Sequence, residues 1–185
     1  MLDPVINKLP AMSPLPGRAP RPRWPWAATA GVIGVAACLF TLAPRVPLLL
    51  WNSSASMPIG LYALDARGAP KRGDIVVVAF PGPVMELAAS RGYLHAGVPA
   101  IKRVAAVSRN LVCARGQNIF VNDRFVAAAK SVDGWGRLLE AWQGCRRLGD
   151  EVLLLGDERR SFDGRYFGPI ARARVIGTAR LLWRW

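Results

Sequence analysis

The feature that most constrains this chain is the absence of any charged residue between Arg23 and Arg45. Within that gap residues 26–43 are almost wholly apolar. Such a run reaches roughly 27 Å as a helix, close to the ~30 Å hydrocarbon core of a bilayer. Trp24 and Trp26 stand at one end and Trp51 follows the other, where interfacial aromatics sit. The pattern predicts one N-terminal transmembrane helix over residues 24–44. Two alternatives are a cleaved secretory signal, with Ala36, Ala37 and Ala43 near its end, and a buried core helix. Within the span Cys38 reads as a small apolar packing residue.

Charge sets the expected orientation. Residues 1–23 carry Lys8, Arg18, Arg21 and Arg23 against Asp3 alone, with six prolines, and read as a disordered basic arm. Basic residues gather on the cytoplasmic side, so residues 45–185 are expected to be exported. The whole chain holds 25 Lys+Arg against 12 Asp+Glu, a net charge of +13. That excess suits a lipid surface. Nucleic acid is not expected as a partner, because the basic residues do not cluster with interleaved aromatics. A lone His95 excludes a two-histidine metal centre, and three cysteines exclude a four-cysteine zinc site. No metal and no cofactor are expected.

The exported part reads as mainly β. Leu48 to Trp51 form a short apolar patch suited to a membrane surface. Residues 74–80 predict a buried strand stopped by Pro81-Gly82-Pro83, and Val84 to Leu94 a helix. Further strands are expected over 101–107, 151–155 and 174–183, with a hairpin over 118–127 turning at Asn122-Asp123-Arg124. Short strands between Gly/Pro turns suggest a compact barrel-like or folded-sheet domain. Cys113 and Cys145 are either one bridge or two buried thiols; a bridge would stabilise by roughly 3–4 kcal/mol.

Three stretches could carry chemistry. Ser53, Ser54 and Ser56 lie in a turn held by Pro58 and Gly60, and a serine nucleophile needs an exposed hydroxyl and a base. His95 is one candidate base, though no carboxylate near it would orient the ring. Lys102 is the other. Strand alternation puts it with Val104 and Ala106 on an apolar face, which disfavours the ammonium form. An ordinary strand lysine would instead snorkel to water. Downstream, Ser161 could orient a buried ammonium, and Asp163 could pair with Arg165. That pair could equally be a surface ion pair worth ~0–1 kcal/mol.

In this order the three stretches resemble the type I signal peptidase superfamily of membrane-anchored Ser/Lys proteases. Ser54-Ala55-Ser56-Met57-Pro58 looks like its serine box and Lys102-Arg103-Val104 its lysine box. Gly156-Asp157 through Ser161-Phe162-Asp163-Gly164-Arg165 looks like its final box. Within the superfamily the chain is most similar to conjugative-transfer signal peptidases of the TraF type. The supporting details are Gly60-Leu61-Tyr62, Arg91-Gly92-Tyr93-Leu94, and Asp133-Gly134-Trp135-Gly136-Arg137 between Cys113 and Cys145. Three features depart from the family: Ser108-Arg109-Asn110 replaces a Pro-Gly-Asp turn, Gly164 a serine and Glu158 an asparagine.

The resemblance implies a serine peptidase domain over residues 45–185, periplasmic on a bacterial inner membrane. Catalysis would use a Ser56 acyl-enzyme with Lys102 as general base. Ser54 would help hold the oxyanion, Ser161 would orient Lys102, and Asp163 with Arg165 would hold the loop. The implied substrate is an exported precursor, a pilin or related protein, released by water or by its own amino terminus. A membrane-anchored assembly protein without activity is the rival from another class, and a general signal peptidase the rival among enzymes.

Overall fold

A computed structural model describes residues 24–42 and 49–185, so the expected basic arm lies outside the described residues. The chain divides into two units, residues 1–45 and 46–185. Of the first unit the structure gives a single helix, α1 (Trp24–Leu42), which contains no charged residue. Pro25 is tolerated in its first turn, where the missing N–H has no partner to lose. Side chains are described there for Trp26 and residues 28–38, all exposed. Among the described residues no helix is long and apolar enough to cross a membrane.

The second unit is mainly β. Seven strands form one antiparallel sheet: β1 (Leu49–Asn52), β2 (Gly60–Asp65), β3 (Ile75–Val78), β4 (Ala100–Ala106), β9 (Glu151–Leu155), β10 (Ile170–Ala171) and β11 (Val175–Arg184). Their spatial order is β1-β2-β11-β3-β4-β9-β10. Four more, β5 (Leu111–Arg115), β6 (Asn118–Val121), β7 (Arg124–Ala128) and β8 (Gly144–Arg147), form a second sheet in the order β7-β6-β5-β8. Both ladders keep open edges, so the folded-sheet alternative is the one observed. Two short helices complete the unit, α2 (Gly82–Ser90) and α3 (Gly164–Phe167).

Central strands are buried on both faces, which is why they read as continuous apolar runs. In β3, Val76 and Val78 enter one core cluster while Val77 enters another with Met57, Tyr62 and Ile101. Likewise β9 sends Val152 and Leu154 to the first of these, and Leu153 and Leu155 into a third cluster under the small sheet. Those faces place the site: β4 lies between β3 and β9, with its odd and even positions in different surroundings.

Several expectations shift by a residue or two. Residues 74–80 contract to β3 because Ala79 and Phe80 leave the ladder toward Pro81, which caps α2. The hairpin turns on Asn122-Asp123 alone, both at positive φ (49° and 59°), so Arg124 already belongs to β7. Such a two-residue loop matches strand twist and suits Asn and Asp. Of the expected Leu48–Trp51 patch, Leu48 lies outside the described residues and the rest enters edge strand β1: Leu49 and Trp51 face out, while Leu50 packs inward and Asn52 is buried. The turn at Ser108-Arg109-Asn110 survives its departure from Pro-Gly-Asp. Arg109 itself takes φ 71°, and the Asn110 side chain accepts from the Val107 N–H at 3.0 Å.

Cys113 and Cys145 are bridged, from directly opposed positions of β5 and β8 with Cα atoms 4.0 Å apart. The bond closes the sequence around the 131–142 connection, which returns below as part of the site.

Candidate active site

A cavity of about 760 Å³ holds Ser54, Ser56, Lys102 and Ser161 along its wall. Ser54 and Ser56 share the turn between β1 and β2, Lys102 lies in β4, and Ser161 in the loop after β9. The serine turn leaves the end of β1, whose last residue, Asn52, organises it. From a buried position its amide donates to the carbonyls of Ser54 (2.9 Å), Met57 (3.2 Å) and Pro58 (3.0 Å), and its carbonyl accepts from the Ser54 N–H at 3.1 Å. Tyr62, fully buried, adds a hydroxyl donated to Pro58 at 2.7 Å. The sequence reading passed over Asn52; the available signal was a polar residue ending an apolar run. Asn52→Ala strips four bonds from a buried loop and is expected to destabilise by about 1–3 kcal/mol. Its catalytic effect should exceed its effect on melting: turnover down more than tenfold in a protein that still unfolds cooperatively.

Within the turn, Ser54 Oγ donates to Ser56 Oγ at 3.0 Å and accepts from the Ser56 N–H at 3.3 Å. By accepting, Ser56 Oγ leaves its own proton available to a base. The two groups expected to hold an oxyanion are bonded to each other here, so the Ser54 hydroxyl has to swing to serve an incoming carbonyl.

Lys102 occupies the middle of β4. Alternate positions Ala100, Lys102, Val104 and Ala106 are buried, while Arg103 and Ala105 between them are partly exposed. The snorkelling alternative is thereby excluded. Lys102 is 4% exposed, and its ammonium donates to Ser161 Oγ at 2.8 Å. Burial pulls its pKa from 10.5 to about 8, with Asp163 opposing and Arg165 assisting. About one lysine in ten is then neutral at pH 7, against less than one in a thousand unperturbed. No hydrogen bond joins Lys102 to Ser56 directly. His95 is exposed and lines none of this cavity.

Asp163 and Arg165 form no surface pair; they are 0% and 4% exposed. The Asp163 carboxylate accepts from the Gly156 N–H at 2.7 Å and the Arg165 N–H at 3.1 Å, capping α3. Burial pushes its pKa up, while the Arg165 guanidinium, Lys102 and these N–H groups oppose. Arg165 donates to the carbonyls of Gly156, Glu158 and Arg159, and its Nε lies 3.6 Å from Asp163. This knot fixes the loop that carries Ser161. Two glycines permit it. A Cβ on Gly156 would come 2.8 Å from the Ser56 carbonyl oxygen, and one on Gly164 would come 2.7 Å from that of Leu154. Close packing of α3 on β9 thus explains Gly164 where a serine was expected.

Two segments noted as family details also meet. Asp133 accepts from the Tyr93 hydroxyl and from Arg137 Nε, each at 2.6 Å, and from the N–H groups of Trp135 and Arg137. Burial opposes its ionisation, but these bonds prevail and hold its carboxyl far below the usual range. The connection between β7 and β8 is so tied to the turn after α2.

The sequence profile described as signal peptidase, peptidase S26, matches residues 23–185. The chain belongs to that family. It is 32% identical over 169 residues to a plasmid transfer protein TraF of Escherichia coli, covering 84% of this chain and 95% of that protein. A probable conjugal transfer protein TraF of Sinorhizobium fredii is 34% identical over 139 residues, covering 70% and 73%. Among solved structures, a signal peptidase I of Enterococcus faecalis overlays 60% of this chain and 97% of its own at 23% identity and a TM-score of 0.38. Of the three stretches that resemble the family's boxes, Ser54, Ala55, Ser56, Lys102, Glu158, Arg160, Ser161 and Phe162 line the cavity.

Proposed function

We propose that this chain is a membrane-anchored serine endopeptidase that processes exported precursors, a pilin or related protein of conjugative transfer. The observation that carries the reading is a buried lysine, held by Ser161 and depressed to about 8, in one cavity with Ser56. Ser56 attacks the scissile carbonyl as neutral Lys102 takes its proton. The Ser56 N–H and a reoriented Ser54 hydroxyl hold the oxyanion; one such donor is worth ~3–4 kcal/mol. Lys102 then returns the proton to the leaving amine, and water or the substrate's own amino terminus releases the acyl group. The missing Ser56–Lys102 bond fits a substrate-free site, where such contacts tighten only in the complex.

The working base is the unprotonated amine, so activity is lost as pH falls below the lysine's pKa. The rate of precursor cleavage by the full chain should rise about tenfold per pH unit up to about 8 and level above it. A flat profile from pH 6 to 9 would overturn Lys102 as base.

The name of the relatives, plasmid or conjugal transfer protein, supports the conjugative substrate over a general signal peptidase. The uncharged run of residues 24–44 and the basic residues before it in the sequence support a single inner-membrane anchor with the peptidase domain in the periplasm. Exposed Trp51, Trp183 and Trp185, with ring centroids 5.6–6.5 Å apart, offer an aromatic patch to lipid beside the serine turn. In cells the full chain should resist extraction from membranes by alkaline carbonate, and a chain lacking residues 1–48 should be released.

A further inference from the structure

Besides Ser56 and Lys102, the cavity is lined by the rings of Tyr93, Trp135 and Phe162. Tyr93 stands 5.1 Å from Phe162 and 6.1 Å from Trp135 between ring centroids. Phe162 also packs on Tyr166 (5.7 Å) and Phe167 (5.6 Å), which do not line the cavity. This wall is preformed. The Tyr93 ring is fixed through its hydroxyl on Asp133, and the Trp135 backbone is held by the same carboxylate. Arg137 lies 4.7 Å from the Trp135 ring and 5.5 Å from Tyr93. Despite these restraints Trp135 remains 69% exposed, and Phe162 is half-buried. A protein that spends a buried carboxylate, a guanidinium and a disulfide-closed connection on holding an indole open to a cavity has left room for a ligand there.

The position of the wall states what the ligand is. Phe162 directly follows Ser161, the residue that holds Lys102, and both line the cavity with Ser56, so the rings and the reacting centre share one cleft. An extended polypeptide with its scissile bond at Ser56 would therefore lay a side chain against the rings. A small side chain would leave the rings uncovered, whereas a large apolar one would stack on them and shed water. We infer that Tyr93, Trp135 and Phe162 form a specificity subsite for a large apolar side chain, aromatic best, at one fixed distance from the cleaved bond. This deepens the peptidase reading and rests on it, since it names what the same cleft selects. Trp135 and Phe162 are specificity-determining residues in this account.

The test uses the full chain in detergent micelles and synthetic peptides of an alanine- and serine-rich sequence. One position at a time carries Ala, Leu, Phe or Trp, and products are read by mass. At a single position Phe or Trp should raise kcat/KM roughly ten- to a hundredfold over Ala. Trp135→Ala should bring that ratio close to one, and Trp135→Phe should restore part of it. A merely structural role for Trp135 would lower all rates together and leave the ratio intact. Binding of the same peptides to Ser56→Ala, read by fluorescence anisotropy, reports the subsite without chemistry. The bulky peptide should bind about tenfold tighter, and Trp135→Ala in that background should remove the difference. No side-chain preference in either assay, or one that survives Trp135→Ala, overturns the subsite. Preference in binding with no cleavage by the wild type would retain the subsite and sink the peptidase reading instead.

Discussion

Ser56→Ala and Lys102→Met are each expected to reduce precursor cleavage to background, a loss of roughly ten-thousandfold or more. The two losses should not add, because nucleophile and base act as one unit. Neither should unfold the domain. Ser56 is only partly buried, and its hydroxyl bonds to Ser54 alone among side chains. Lys102 sits in an apolar slot of β4 where burial already disfavours its charge, so methionine, similar in length and uncharged, fits the same space. The measurement is cleavage of the precursor in membranes, with melting of each purified variant alongside. A lysine variant that stays folded and cleaves normally would exclude Lys102 from the chemistry.

Asp163→Ala should have the largest effect on stability, about 3–5 kcal/mol, because it leaves the Arg165 guanidinium buried and uncompensated. It also orphans the Gly156 N–H and uncaps α3. Activity should fall with it, since Gly156 touches Ser161 and the Ser56 carbonyl. Asp163→Asn separates charge from hydrogen bonding: it keeps one acceptor on the knot and should recover part of the stability. Urea denaturation at neutral pH reads both variants. Equal and small losses would mean that the ion pair does not brace the loop.

Much of this site is legible in the sequence because the chemistry needs rare combinations. Alternation puts Lys102 on one strand face with Val104 and Ala106, which makes a buried lysine one of two readings beside one that reaches water. The Ser161-to-Arg165 stretch offers its groups in the sequence, but that Asp163 and Arg165 pair in the interior rather than at the surface shows only in the fold. Strands buried on both faces, β3 and β9, announce themselves as unbroken apolar runs. Other elements carry no local signal. Strand β8, Gly144–Arg147, is exposed throughout and charged, and its place is set by pairing with β5 and the bridge to Cys113. Strand β2, Gly60–Asp65, hides behind the serine turn that draws attention first. Asn52 acts only through backbone groups of a loop that does not exist until β1 forms. The Asp133 knot joins residues forty positions apart, which no periodicity reveals.

The most direct measurement of the central claim is the intact mass of the full chain, quenched within seconds of mixing with a precursor and then mapped by digestion. An acyl fragment of the substrate on the peptide containing Ser56, absent from Ser56→Ala and scarce below pH 7, is the predicted result. Normal cleavage by Ser56→Ala, or an adduct on any other residue, would contradict the account.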